Sequence, residues 1–130
     1  MTRDDIVKHW VDTSDNDYPV MESLFNNGHY SWSLFVGHLI LEKLLKACYA
    51  KNVDVATPRI HNLLKIAEDA GLELTKDQRI FLDEVTTYNL RARYQDFKDR
   101  FLKMATKEYT EDSIKKVKEF RQWLLQQINR

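Results

Sequence analysis

A chain of 130 residues, 43% hydrophobic and 31% charged, can build one core in a single domain (1–130) without a disulfide or a metal. Its 20 basic and 20 acidic residues exclude a module that grips nucleic acid chiefly through phosphates, although a local basic patch remains open. One cysteine, Cys48, excludes an internal disulfide, and no apolar stretch approaches the ~20 residues of a membrane span.

The N-terminus, MTRDDIVKHW, is charged and has no apolar leader, so a reducing, cytoplasmic location is the expectation. Three glycines and two prolines disfavour a turn-rich β fold and favour long helices. The first helix is predicted over about Arg3–Asn27, closed by Gly28. Pro19 inside it predicts a kink, or a restart with Asp17 as a new cap. The second helix is predicted over about Ser31–Lys51. It is apolar nearly all round, with Trp32, Phe35, Val36, Leu39 and Ile40 on one face. Such a helix is central to a bundle, or its outer face meets a partner chain. Gly37 in its middle suggests close backbone approach to a neighbouring helix.

Thr57-Pro58 reads as cap and first turn of a third helix to Ala70, with Gly71 closing it. Thr75 and Gln78 form a capping box for a fourth helix over about Lys76–Tyr94, carrying Phe81, Val85, Tyr88 and Ala92 as a stripe. Thr110 before Glu111 and Asp112 predicts the start of a last helix to Ile128. The stretch from Gln95 to Tyr109 is either a link or an extension of helix four. The expected fold is all-α, an up-and-down antiparallel bundle of four to five helices.

Two places carry candidate chemistry. On helix two a narrow polar stripe holds His38, Glu42, Lys43 and Lys46; His38, Glu42 and Lys46 are four residues apart and share a face. By spacing alone, an exposed Glu42–Lys46 ion pair accounts for it. Near the end of helix four, Arg91, Arg93 and the tyrosines Tyr88 and Tyr94 could hold a phosphate and stack a base. By spacing alone, a helix end with dipole-complementing arginines and packed tyrosines is the better account of them. His9, His29, His38 and His61 have no metal-ligand spacing, so no metal and no cofactor are expected. Cys48 reads as a buried structural thiol.

In chain order these features resemble the HEPN family (higher eukaryotes and prokaryotes nucleotide-binding). Its compact prokaryotic members show an early tryptophan, then a segment like GxYxxSLFxxHLxxEKxLKA, a Thr-Pro and His-Leu opening of helix three, and an Arg-Tyr pair ending helix four. Here these are Trp10; Gly28, Tyr30, Ser33, Leu34, Phe35, His38, Leu39, Glu42, Lys43, Leu45, Lys46 and Ala47; Thr57, Pro58, His61, Asn62 and Leu63; and Arg93, Tyr94.

The resemblance implies a helical bundle, usually a homodimer, often paired with a minimal nucleotidyltransferase in toxin–antitoxin systems. Family RNases use an arginine followed shortly by a histidine on a late helix. No histidine follows His61 here, and the Arg3…His9 match lies on helix one. The leading expectation is therefore a non-catalytic component that binds a nucleotide or a nucleotidyltransferase, with catalytic residues unknown. One alternative is a metal-independent RNase toxin acting on RNA with Arg91, Arg93, Tyr94 and His61; another is a dimerisation or substrate-binding module.

Overall fold

The computed structural model describes residues 1–130, apart from the side chains of residues 95 and 96. The chain is 80% helix without a strand among the described residues. Six helices follow in order: α1 (Arg3–Asn26), α2 (Tyr30–Asn52), α3 (Leu63–Asp69), α4 (Lys76–Arg93), α5 (Gln95–Met104) and α6 (Lys107–Ile128).

Pairings along the long helices fix their directions. Ser14 Oγ donates to the Ile40 carbonyl (3.0 Å), Ser33 Oγ to that of Met21 (2.8 Å), and Arg3 to that of Lys51, so α1 and α2 run antiparallel. Gly37 lies against Val117, and Lys51 Nζ donates to the carbonyls of Gln127 and Ile128, so α2 and α6 run parallel. Phe81 meets Phe120, and Tyr88 bonds Ser113, so α4 opposes α6. The long helices thus alternate up and down. Helix α2 is central, packed by α1, α6, α3 and α4.

That position explains the composition of α2. Leu34, Ile40, Leu41, Leu44, Leu45, Ala47 and Cys48 are buried against several neighbours, each large aliphatic side chain contributing roughly 1.5–3 kcal/mol. Of the two readings of an all-round apolar helix, the central one holds, and the chain's own helices cover it. Trp32 is the most exposed residue of the outer face, on which Phe35, Val36 and Leu39 are half-buried. Expected on an apolar face, it is 53% exposed because α2 begins at the rim of the bundle. At Gly37 an added Cβ would meet Met21 Sδ and Val117 Cγ2, each at 3.4 Å. The close neighbours are therefore side chains from α1 and α6.

Several sequence expectations need correction. The bundle has six helices, because 95–104 forms its own helix after an extended Tyr94 breaks α4. Helix α3 begins at Leu63, not Pro58. Asn62 accepts from the Lys65 amide as its cap, while 57–62 stays non-helical. Helix α6 begins four residues earlier than Glu111, capped by Thr106 rather than Thr110, and Thr110 is buried. Asp17 caps nothing. Helix α1 continues through the exposed Pro19, and Asp17 accepts from Lys43 instead. The Thr75–Gln78 capping box and the glycine closures at Gly28 and Gly71, both at positive φ, are as read.

Candidate functional site

The polar face of α2 is covered from two sides. Trp10 of α1 lies over Lys46 Nζ at 5.6 Å from the ring centre. The non-helical segment before α3 brings His61 onto Glu42. One reason the segment lies there is that the Leu63 amide donates to Thr86 Oγ1 of α4 (3.0 Å), which ties the start of α3 across the bundle.

Beneath this cover three groups share one carboxylate. Lys46 Nζ donates to Glu42 Oε2 (3.1 Å), and His61 Nδ1 to Glu42 Oε1 (2.8 Å). His38 Nε2 is 3.8 Å from the same Oε1. The Glu42 and Lys46 side chains are only 9% and 8% exposed, so the expected exposed ion pair is in fact buried. Since Glu42 accepts at Oε1, the neutral form of His61 carries its proton on Nδ1 and has its lone pair on Nε2. The His61 side chain is 48% exposed.

His38 is fully buried. Its Nε2 lies 3.2 Å from the His61 carbonyl, which can only accept, so the proton sits on Nε2. Nδ1 is buried with no partner among the described residues. Burial pushes the pKa of His38 down, and Lys46 and His61 push the same way; the His61 carbonyl and Glu42 oppose them. His38 is thus held neutral. Phe35 stacks over it with rings 8° from parallel. Lys43 lies apart from this group and pairs with Asp17 at 2.6 Å. The four-residue set read from the sequence therefore splits into a cluster of three and one pair with α1.

The arginines at the end of α4 stand elsewhere. Arg91 is partly buried, and Nη1 donates to Met104 Sδ (2.9 Å), fastening α4 to α5. Arg93 and Tyr94 are exposed, Tyr94 by 56%. Among the described residues no hydrogen bond or ion pair joins them to His38, Glu42 or His61. Close by, a hollow of about 90 Å³ is lined by Ser31, Trp32, Ala92, Lys98, Phe101 and Leu102. Trp32 and Leu102 are 53% and 60% exposed.

Sequence reasoning missed this hollow, because its walls come from α2, α4 and α5 and no spacing links them. It also missed Trp10 as the cover of Lys46, and a chain of hydroxyls between α4 and α6. There Tyr88 bonds Tyr109 (2.6 Å) and Ser113 (3.0 Å), and Tyr109 donates to Glu84. Burial raises the pKa of both tyrosines, so these hydroxyls stay protonated. Burial also pushes the Cys48 thiol up to about 12, in keeping with an unreactive core thiol. No group of three or more metal-ligating side chains is found among the described residues, and no helix is long and apolar enough to cross a membrane.

A family model described as "HEPN domain" matches residues 7–128, nearly the whole chain. Comparison with curated proteins and with solved structures gave no match.

Proposed function

The chain belongs to the HEPN family, and on that premise we propose that it is a non-catalytic binding module whose partner is a minimal nucleotidyltransferase. The observation that carries this reading is the exposed corner where α2 begins and α4 passes into α5. Trp32 and Leu102 flank a hollow, with Lys98 in its wall, and exposed Arg93 and Tyr94 end α4 close by. Trp32, Arg93 and Tyr94, exposed together, are of the residue types enriched at recognition hot spots.

Size chooses between the partners considered. A site that buries a free small ligand usually offers about 300–1,000 Å³. The hollow offers about 90 Å³, enough for one inserted side chain or the edge of a base. A protein partner, or a nucleotide presented by one, fits better than a free nucleotide. HEPN domains commonly dimerise, and a homodimer is retained in this reading. So is a place in a two-gene, toxin–antitoxin-like system.

Calorimetric titration with a nucleotidyltransferase tests the assignment. Trp32→Ala and Arg93→Ala should each weaken binding at least about tenfold, the scale of a hot-spot residue. Both residues are exposed, so the melting temperature should hardly move. Unchanged affinity in both variants would reject the site.

The RNase alternative gains one observation, the His61–Glu42 pair, since a carboxylate-held imidazole can move a proton. Cleavage also needs a cation on the scissile phosphate. Lys46 is committed to Glu42 and Arg91 to Met104, and among the described residues no hydrogen bond or ion pair brings Arg93 to the pair. Binding is therefore the better-supported reading.

A further inference from the structure

His61 combines three properties that the binding role does not use. Its Nδ1 proton is fixed on a carboxylate at 2.8 Å. That carboxylate is itself nearly buried and fixed on its other oxygen by Lys46, which Trp10 covers. The ring nevertheless stands at the surface, 48% exposed. The result is that the neutral ring takes a single tautomer, with its lone pair on Nε2 and a rigid support behind it. Helix α2 supplies the support, and the short tie from Leu63 to Thr86 holds the segment that carries the ring.

An imidazole so arranged is either a proton carrier or a nucleophile. A proton carrier works inside a pocket that also holds the substrate. None of the four hollows described on this surface is lined by His61. Among the described residues, the cation in contact with the pair is Lys46, and Glu42 neutralises it. A nucleophile that is presented to another molecule needs neither pocket nor cation, because the donor supplies both.

We propose that His61 is a phosphoryl-acceptor site, with Nε2 as nucleophile and a phosphoryl donor bearing a good leaving group as its substrate class. In the transfer, the Nε2 lone pair forms the N–P bond as the bond from phosphorus to the leaving group breaks. The leaving group departs with that bonding pair. The proton stays on Nδ1, hydrogen-bonded to Glu42, and the ring becomes a cation beside that carboxylate, which it shares with Lys46.

The full chain contains its own controls. His9 and His29 are also exposed, and no hydrogen bond holds either ring among the described residues. Phosphoramidate serves as the donor at about pH 8, above the ordinary imidazole range. Peptide mapping gives the rate at each histidine, and phosphorus NMR gives the nitrogen modified. His61 should react at least about tenfold faster than His9 or His29, the factor of one charge-assisted hydrogen bond. The adduct should sit on Nε2, and His61→Gln should abolish it. In urea the three rates should converge. Glu42→Gln should slow His61 to the rate of its controls. If that variant does not fold, the within-molecule comparison and the modified nitrogen still decide the matter. A His61 no faster than His9 and His29 in the native protein, or a phosphoryl group on Nδ1, would overturn the proposal.

Discussion

Glu42 holds the polar cluster of α2 together. It neutralises Lys46, fixes the tautomer of His61 and lies near His38. A buried pair is expensive to halve, because the survivor is left as an uncompensated charge. Glu42→Gln should therefore destabilise the fold by about 3–5 kcal/mol, and Glu42→Leu combined with Lys46→Met should recover most of that loss. Urea denaturation of the single and double variants measures both. Equal losses in the two would mean that Lys46 is not strained by losing Glu42.

His38 makes a separate demand on pH. Its pKa is lowered in the fold from an ordinary 6.5, so the unfolded chain takes up its proton first. The stabilisation by neutral His38 is then complete above that value and is lost as pH falls through it toward the lowered folded value. Between about pH 8 and about pH 5 the urea midpoint should drop, and His38→Gln should flatten the drop. A slope unchanged in that variant would assign the effect to other groups.

The spacing of His38, Glu42 and Lys46 was legible in the sequence because the helical repeat puts them on one face. Their burial was not. It depends on Trp10 and His61, which arrive from α1 and from the segment before α3.

At the scale of elements, local signals succeeded where they were reciprocal and failed where one residue could serve two purposes. The Thr75–Gln78 box has two mutually satisfying bonds, and the helix begins there. Thr110 precedes two acids, yet Thr106 starts the helix one turn earlier and Thr110 faces the core. Thr57-Pro58 has the composition of a first turn. The chain instead stays non-helical until Asn62, where the Leu63 amide finds Thr86. Such ties across helices leave no periodic trace.

Gly37 suggested a close backbone approach, but the atoms an added Cβ would meet are side chains, and these contacts set a limit. A single methyl meets Met21 and Val117 at the edge of tolerance, and a branched side chain exceeds it. Gly37→Val should cost about 1–3 kcal/mol, the usual penalty of overpacking, against a smaller effect for Gly37→Ala. Thermal unfolding of the two variants compares them directly. A fully tolerated valine would show that α1 and α6 can separate without loss.

For the whole molecule, the fold class was legible because one helix apolar on nearly all faces must be surrounded. Four long helices alternating in direction are the simple way to surround it. The recognition corner was only half legible. Arg93 and Tyr94 stood out by composition, while Trp32 and Leu102 became partners only when α5 turned back beside α2. The same folding separated the arginines from the His61–Glu42 pair, so the two halves of the expected site became two distinct features.

The central claim is that partner recognition happens at this corner, and amide chemical-shift mapping with an unlabelled nucleotidyltransferase tests it most directly. The largest perturbations should fall at residues 31–32, 92–94 and 98–102, with little change along the α4–α6 groove around Ile80 and Trp123. Perturbations centred on that groove or on His61, with the corner silent, would contradict it.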